Sequence, residues 1–247
     1  MVAEKTEMVF GRNPVYEILR AGRRQVHKLM VAEGSIERGT LARVVAHANA
    51  EGVPVERVHR RSLDCETDHH QGVAAVVGPY PYATVVDIFE RAQAKGEPLL
   101  VLILDMLQNP QNLGTLLRTA EAVGVHGVVI PKRRGVGVTR AVVSASAGAS
   151  EHLLIATDNL ARVIEKIKES GAWVAGLENL PEALTLEEVD LSGGMGLVVG
   201  NEGRGMRRLV RQSCDYLIRL PMRGCIGSLN AAVAGSIALY AIWRARG

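Results

Sequence analysis

Three short segments in the C-terminal part of the chain join an apolar run to polar side chains that could perform chemistry. They occupy residues 112–120 (NLGTLLRTA), 200–206 (GNEGRGM) and 220–232 (LPMRGCIGSLNAA). Each polar group follows or opens a predicted helix or strand, so we expect these side chains to meet at one edge of a sheet. The candidate catalytic residues are Asn112, Arg118, Glu202, Ser228 and Asn230.

The first segment predicts an amphipathic helix with Arg118 on its solvent side. Its apolar face consists of Leu113, Leu116, Leu117 and Ala120. At about 100° per residue, Arg118 lies about 140° from Leu113. Arg118 is therefore either available to a ligand or paired on the surface with Glu121 or Glu202. Asn112 stands at the start of the helix, where a role as its N-cap would also explain it.

The second and third segments place glycine-rich or polar loops after predicted strands. Three glycines within residues 200–205 leave backbone groups open to a ligand, although a tight turn without a ligand explains them equally well. The nearest approximation to a dinucleotide-binding motif, residues 135–140, lacks the third glycine and follows a basic loop, which argues against a nicotinamide cofactor. Ser228 either caps the last helix or contacts a ligand. Cys225 is expected to be an inert thiol.

Composition and charge narrow the class of protein. The 247 residues are 47% hydrophobic, which is enough to build globular cores, and neither a membrane span nor a signal core is visible, so we expect a cytoplasmic location. Three cysteines without a CxxC motif predict no disulfide framework, and His69-His70 lacks a second pair of ligands, so no metal is expected. A net charge of +3 with clustered arginines permits a nucleic acid as a partner, but solvated surface charge explains the clusters as well.

The pattern of helices and strands predicts two domains. Residues 1–78 alternate helix and strand in a small α/β unit, and the prolines and glycines of residues 79–98 predict a linker. Residues 99–247 begin with the continuous apolar strand Leu99–Leu104, and helices then alternate with strands. This favours an open, mostly parallel sheet with helices on both faces. The last helix, residues 230–244, is rich in small residues and is expected to pack closely against its own domain or a second subunit.

In their order, residue types and spacing along the chain, the three segments resemble the motifs of the SpoU (TrmH-type) RNA 2′-O-methyltransferases of the SPOUT superfamily. The resemblance spans Leu99 to Trp243. FGRNPVYEIL at residues 10–19 and HQGVAAVV at residues 70–77 are similar to the substrate-binding domain that precedes the catalytic domain in bacterial 23S rRNA guanosine 2′-O-methyltransferases. The main departure is Cys225-Ile226-Gly227, where polar residues are more usual.

The resemblance implies an α/β methyltransferase domain with a deep trefoil knot, an L30e-like RNA-binding domain ahead of it, a homodimer, and S-adenosylmethionine as cofactor. By the same resemblance, backbone groups of the knot loops hold the cofactor at Val199, Gly200, Ile218, Leu220, Ser228 and Leu229. The arginine at the position of Arg118 is proposed in such families to contact RNA phosphate and to act as a base. Because a guanidinium is normally never deprotonated, we expect Arg118 to clamp the phosphate and the hydroxyl instead.

The function predicted from the sequence is methyl transfer from S-adenosylmethionine to a ribose 2′-hydroxyl of RNA, at a guanosine of 23S rRNA. Within the same class, the alternative is a relative that modifies tRNA or another rRNA nucleoside, including enzymes that confer antibiotic resistance. A rival from another class is a non-catalytic RNA-binding protein of ribosome assembly. Loss of Arg118, Glu202 or Asn230 would favour that rival, and all three are present.

Overall fold

A computed structural model describes residues 6–225 and 227–247 of the chain. The strands are β1 (Glu7–Phe10), β2 (Val26–Ala32), β3 (Val55–Val58), β4 (Val73–Val77), β5 (Leu100–Leu104), β6 (Gly127–Pro131), β7 (Ile155–Asp158), β8 (Trp173–Leu177), β9 (Leu184–Thr185), β10 (Met195–Val199) and β11 (Tyr216–Arg219). The helices are α1 (Arg12–Ala21), α2 (Thr40–Ala50), α3 (Arg60–Asp64), α4 (Val85–Lys95), α5 (Pro110–Ala122), α6 (Arg140–Ala145), α7 (Leu160–Glu169), α8 (Arg208–Ser213) and α9 (Ala231–Ala245). Two 3₁₀ turns lie at Ala149–His152 and Leu186–Glu188.

The described residues form two compact units. The first contains the chain up to Pro81 together with Val138–His152, and the second contains Tyr82–Gly137 and Leu153–Gly247. A segment from the middle of the predicted catalytic region thus belongs to the N-terminal unit. The domain boundaries predicted from the sequence, at residues 78 and 99, stay a prediction, because a compact unit and a family domain need not end at the same residue.

The first unit is built on a four-stranded sheet with the order β1-β4-β2-β3. Strand β4 is antiparallel to both β1 and β2, whereas β3 is parallel to β2. The 3₁₀ turn at Ala149–His152 is fixed within this unit by a buried, bidentate ion pair: Arg24 Nε and Nη2 lie 2.9 and 3.0 Å from the two carboxylate oxygens of Glu151. The Tyr80 hydroxyl donates to the carbonyl of Ser150 at 2.9 Å. These bonds explain why residues 138–152 pack with the N-terminal segment.

The second unit is a seven-stranded sheet with the order β7-β6-β5-β10-β8-β11-β9, and every neighbouring pair is parallel. All five residues of β5 and of β10 are buried, as an apolar strand covered on both faces requires. The predicted fold class, an open α/β sheet preceded by a small α/β domain, is confirmed. The loops after β10 and β11 are those in which the resemblance places the knot.

Helix α9 packs along α5 in this unit, and small residues make the close approach possible. A Cβ atom on Gly235 would lie 2.7 Å from Leu116 Cδ2 and 3.0 Å from Val199 Cγ2, so only glycine fits there. The buried face of α9 also includes Ala232 and Ala238. The close packing predicted for this helix is therefore observed against its own unit. No described helix is long and apolar enough to cross a membrane.

Several predicted element ends were wrong. The sequence pattern predicts a helix from Ile36 to Ala50, but the helix begins at Thr40, because Gly39 adopts a φ of 57° that a helix cannot include. The pattern also predicts a strand at residues 152–155, but the strand is Ile155–Asp158, and the buried ion pair of Glu151 holds the preceding residues in a 3₁₀ turn. Strand β1, with four residues, strand β9, with two, and helix α3, with five, were not predicted.

Candidate active site

The candidate site lies at the carboxyl edge of the central strands of the second unit. Strand β10 pairs with β5 on one side and β8 on the other, and β11 pairs with β8, so the loops after these four strands share one edge. A cavity of about 690 Å³, counted with its open mouth, lies among them. Its apolar lining includes Leu177, Val199, Leu220, Met222, Leu229, Ala231 and Ala234, and its polar lining includes Glu178, Asn179, Asn201, Glu202, Arg219 and Ser228.

The loop after β10 is folded back tightly on itself. Asn201 and Gly205 exchange two backbone hydrogen bonds, at 3.1 and 2.9 Å. A Cβ atom on Gly200 would lie 2.5 Å from the carbonyl carbon of Gly205, so a side chain there would prevent this closure. The Asn201 amide also donates to the carbonyl of Met106, at 3.1 Å. The loop is thereby fixed to the end of β5, and Glu202 is presented at its tip.

Asn112 connects this loop to α5. The N-cap of α5 is Asn109, whose side chain accepts from the backbone of Gln111 at 2.9 Å, so Asn112 is not the cap. Instead, the Asn112 side-chain amide donates to Glu202 Oε1, and its oxygen accepts from Asn230 Nδ2 at 3.2 Å. Two of the three sequence segments therefore meet at a carboxylate, and the third joins them through an amide.

Asn230 performs two tasks with one side chain. Its oxygen caps α9 by accepting from the backbone of Ala232 at 2.9 Å and of Val233 at 3.2 Å, while its amide nitrogen donates to Asn112. The cap role considered for Ser228 is therefore wrong, and the exposed Ser228 side chain lines the cavity. We call Asn112, Glu202 and Asn230 the amide–carboxylate cluster.

Arg118 lies apart from this cluster in the same chain. It is exposed on α5, as predicted, and it forms no hydrogen bond or ion pair within the described part of the chain. Six residues of helix separate it from Asn112, which is about 9 Å along the axis and a third of a turn around it. The surface pairing with Glu121 or Glu202 considered from the sequence is not observed. Of the five predicted catalytic residues, Glu202 and Ser228 line the cavity, Asn112 and Asn230 are joined to Glu202 by hydrogen bonds, and Arg118 lies apart.

Sequence reasoning missed three polar residues of this edge. Glu178 and Asn179 follow β8 and line the cavity, and Asn179 Nδ2 donates to the carbonyl of Gly227 at 2.7 Å, which holds the loop bearing Ser228. Asp105, fully buried after β5, accepts from the backbone and from Nε of Arg207, both at 2.7 Å. The available signal was a polar residue directly after an apolar strand.

Family models match both parts of the chain. Residues 99–240 match the SpoU rRNA Methylase family, and residues 8–83 match RNA 2′-O ribose methyltransferase substrate binding. The chain belongs to the SpoU methylase family. It is an RNA methyltransferase of the SpoU/TrmH type, and S-adenosylmethionine is the methyl donor of this family. The resemblance recognised from the three segments is confirmed.

Relatives of this methylase cover either nearly the whole chain or about two thirds of it. A protein of Bacillus subtilis that carries the name of a TrmH family tRNA/rRNA methyltransferase is 43% identical over 99% of this chain and 98% of its own length. The crystal structure of an AdoMet-bound rRNA methyltransferase from Sinorhizobium meliloti is 25% identical, with a TM-score of 0.79 over 97% of this chain and 87% of that one. A TrmH/SpoU tRNA modifying enzyme of A. aeolicus is 27% identical, with a TM-score of 0.55, and covers 66% of this chain and 80% of its own.

The cavity of the methylase fits a molecule that joins apolar and polar parts. Glu178 Oε2 is buried and has no hydrogen-bond partner among the described residues, although it forms an ion pair with Arg211 Nη1 at 3.7 Å. Such a carboxylate oxygen is suited to an ammonium or a ribose hydroxyl, both of which S-adenosylmethionine carries. Among the described residues, no group of three or more His, Cys, Asp or Glu could hold a metal ion.

Five of the six residues predicted to contact the cofactor line this cavity: Val199, Gly200, Leu220, Ser228 and Leu229. The sixth, Ile218, is fully buried in β11, and its carbonyl accepts from the backbone of Glu178 at 3.0 Å. Ile218 therefore supports the wall of the cavity through Glu178. Direct contact of these six residues with the cofactor stays a prediction. Ile226 lies outside the described residues.

Proposed function

We propose that this methylase transfers a methyl group from S-adenosylmethionine to the 2′-hydroxyl of a guanosine in 23S rRNA. One observation carries the proposal: Glu202 both lines the cavity and accepts a hydrogen bond from Asn112. A cavity of suitable chemistry for the donor and a polar cluster suited to the acceptor therefore share a residue. The enzyme acts in the cytoplasm, where we expected it from the sequence.

The apolar lining and Glu178 hold the donor in this proposal. The leucines and Val199 cover a planar adenine, and Glu178 Oε2, which has no hydrogen-bond partner among the described residues, accepts from a ribose hydroxyl or from the ammonium group. When bound, S-adenosylmethionine supplies a sulfonium-activated methyl group that is already strongly electrophilic. The task of the protein is therefore to orient the acceptor and to exclude water. Asn179 contributes by keeping the Ser228 loop closed over the cavity.

The acceptor hydroxyl must release its proton to solvent through the open mouth of the cavity as it attacks, and a cation beside the forming alkoxide lowers that barrier. Arg118 supplies this cation and also holds the adjacent phosphate through paired N–H donors. In its own chain it points away from the amide–carboxylate cluster. We therefore assign the clamp at each cluster to the Arg118 of a second copy of the chain.

A second copy is supported by an apolar stripe on α9. Val233, Ile237, Tyr240 and Trp243 are 45%, 44%, 52% and 42% exposed. Four large apolar side chains on one helix face are more than solvated surfaces usually expose in one patch. Leu229, 40% exposed, continues this α9 stripe to the amide–carboxylate cluster. Arg118 borders the stripe because its neighbour Thr119 bonds Ser236 at 2.8 Å. A homodimer that packs along the α9 stripe thus brings Arg118 of one copy close to the amide–carboxylate cluster of the other.

The choice of rRNA rests on the N-terminal unit. The S. meliloti rRNA methyltransferase matches nearly the whole chain, whereas the A. aeolicus tRNA modifying enzyme matches only two thirds of it. The additional unit enlarges the surface available to a long, folded RNA. A tRNA substrate is the alternative, because the B. subtilis relative is named for both substrates.

Methyl transfer tests the proposal directly. The protein is incubated with radiolabelled S-adenosylmethionine and, separately, with 23S rRNA, 16S rRNA or tRNA lacking modifications. We expect label in 23S rRNA at a phosphodiester bond that resists alkaline hydrolysis, which marks a 2′-O-methyl group. Label only in tRNA would select the alternative substrate. Label on a base, or in no RNA, would contradict the proposed reaction.

Defined heterodimers test the assignment of Arg118 to the opposite subunit. Copies carrying Arg118→Ala and Asn112→Ala, with different affinity tags, are coexpressed and the mixed dimer is purified over both tags. If each cluster uses the other copy's Arg118, one site of the mixed dimer is intact and about half of the wild-type activity returns. An inactive mixed dimer, or a wild-type protein that sediments as a monomer, would contradict the assignment.

A further inference from the structure

A second, strongly basic cavity lies at the same sheet edge, outside the amide–carboxylate cluster. It measures about 900 Å³ with its open mouth and lies beyond the ends of β6 and β7. The charged side chains that line it belong to Lys132, Arg133, Arg134, Asp158 and Arg207. Four of these side chains are cationic and one is a carboxylate. We call it the basic cavity.

The charges of the basic cavity are only partly compensated. Lys132 Nζ is 3.3 Å from Asp158. Burial alone would raise the pKa of Asp158, but hydrogen bonds from the Asn159 backbone, Arg162 and Lys132 lower it to about 2, so this carboxylate is fully charged at neutral pH. Arg133 and Arg134, both exposed, form no hydrogen bond or ion pair among the described residues. Two guanidinium groups therefore remain to bind an anion.

One of these arginines has a strained backbone. Arg134 has a φ of 65°, a left-handed conformation that is unfavourable for a non-glycine residue. The turn is closed by the backbone of Val136, which donates to the carbonyl of Leu107 at 3.0 Å. Glycine would be less strained at position 134, so folding alone does not explain an arginine there.

One loop contributes residues both to the basic cavity and to the cavity that Glu202 lines. The loop that presents Glu202 continues to Arg207, which lines the basic cavity and is held by Asp105 through two bonds of 2.7 Å. A chain bound to the basic cavity would therefore lie against the far side of the loop that carries Glu202. Leu209, which is 64% exposed at the rim, offers an apolar surface to a base or a ribose. A free phosphate ion would leave that surface unused.

We propose that the basic cavity binds the phosphodiester backbone of the RNA substrate next to the methylated nucleotide, with Arg133 and Arg134 each pairing with one phosphate. This inference rests on the proposed RNA methyl transfer and adds to it a contact site that is not part of the three sequence segments. Arginine suits the task because its planar fork matches two phosphate oxygens. Such contacts fix the register of the RNA but do not read its sequence.

The test compares two double variants that remove the same charge. Arg133→Gln/Arg134→Gln alters the basic cavity, and Lys95→Gln/Lys166→Gln alters exposed lysines near the opposite edge of the sheet. Binding to a 23S rRNA transcript is measured from 50 to 300 mM salt. The logarithm of the RNA association constant falls as the logarithm of the salt concentration rises. Loss of two phosphate contacts should make this slope less steep, by about 1.4 for single strands or 1.8 for a duplex. The lysine control should keep the wild-type slope. Calorimetry should give wild-type affinity for S-adenosylmethionine in both variants.

Each other outcome is decisive. Wild-type RNA affinity and salt slope in the arginine variant would overturn the inference while leaving the proposed methyl transfer intact. An equal loss in the lysine control would show a general charge effect and also overturn it. If polyglutamate competes with RNA as well as polyuridylate does, the cavity binds an acidic protein segment instead. If the wild type methylates no RNA but the arginine variant still loses RNA affinity, the proposed reaction fails and the phosphate site stands.

Discussion

The amide–carboxylate cluster and Arg118 are two parts of one candidate site. They differ in how many of their polar groups form hydrogen bonds or ion pairs within one chain. Asn112, Glu202 and Asn230 are joined by hydrogen bonds, and Asn230 is also fixed by the start of α9. Arg118, on the next turns of α5, has no partner among the described residues. Folding of one copy therefore assembles the part of the site beside the cavity that Glu202 lines. In the proposed mechanism, the cation is left for the substrate and a second copy.

The largest effect should come from Arg118, because its positive charge is used only when RNA is bound. We expect Arg118→Ala to lower kcat about 100- to 1,000-fold, the range for removal of a donor that stabilises developing negative charge. Arg118→Lys should recover part of the loss, since it keeps the charge but not the paired donors. Single-turnover methyl transfer measures both. Unchanged affinity for S-adenosylmethionine and an unchanged urea midpoint are the controls, and wild-type turnover of the alanine variant would remove Arg118 from the mechanism.

Glu178 is the exception within the satisfied part of the site, since one of its oxygens has no hydrogen-bond partner. If the cofactor is that partner, Glu178→Gln should raise the Kd for S-adenosylmethionine about 10-fold or more, because hydrogen bonds to charged groups contribute about 1.5–3 kcal/mol. Glutamine keeps an oxygen for the backbone of Met206. The matched control is Glu182→Gln, an exposed glutamate outside the cavity. Equal calorimetric Kd values for Glu178→Gln and the wild type would show that the cofactor does not use this oxygen.

The same distinction explains what could be predicted from the sequence. Buried apolar strands such as Leu100–Leu104 and the order of helices and strands follow from local patterns, and the fold class was predicted correctly. The meeting of Asn112, Glu202 and Asn230 was predicted from the resemblance and from the rule that parallel strands share a carboxyl edge. Their individual hydrogen-bond partners could not be predicted. Residue type alone allows Asn112 or Ser228 as a helix N-cap, but Asn109 and Asn230 occupy the two cap positions.

Long-range bonds account for most of the remainder. The 3₁₀ turn around Glu151 depends on Arg24, which is 127 residues away in the chain. The contribution of Glu178 depends on the order of strands, which places β8 beside β10 although β9 precedes β10 in the chain. No local pattern contains this information. The local signal that does point to Asp105 is its position as a polar residue directly after the buried strand β5.

Two substitutions of Asn230 separate its capping of α9 from its hydrogen bond to Asn112. Asn230→Ala removes both and should lower the free energy of unfolding by about 1 kcal/mol, the usual cost of a lost N-cap. Asn230→Ser keeps a capping oxygen but has no amide to donate to Asn112, so it should be nearly as stable as the wild type and still slow in methyl transfer. Urea denaturation and single-turnover rates measure the two effects. If the serine variant is fully active, the bond to Asn112 does not matter for turnover.

His126 provides a partnered polar group far from the site, where only stability should respond. Burial lowers its pKa below 6.5, its Nδ1 accepts from the backbone of Leu100 at 3.0 Å, and its Nε2 bonds Glu97 at 3.0 Å. Protonation would place a hydrogen on Nδ1 and break the bond from Leu100. Below pH 6.5 the unfolded chain therefore binds the proton before the folded one does, and stability falls as the pH is lowered through this window. Each unit by which folding lowers the pKa corresponds to about 1.4 kcal/mol of stability.

Urea midpoints measured between pH 7.5 and 5.0 should thus fall more for the wild type than for His126→Asn, whose oxygen can accept from Leu100 at any pH. Parallel pH profiles for the two proteins would mean that His126 does not set this dependence.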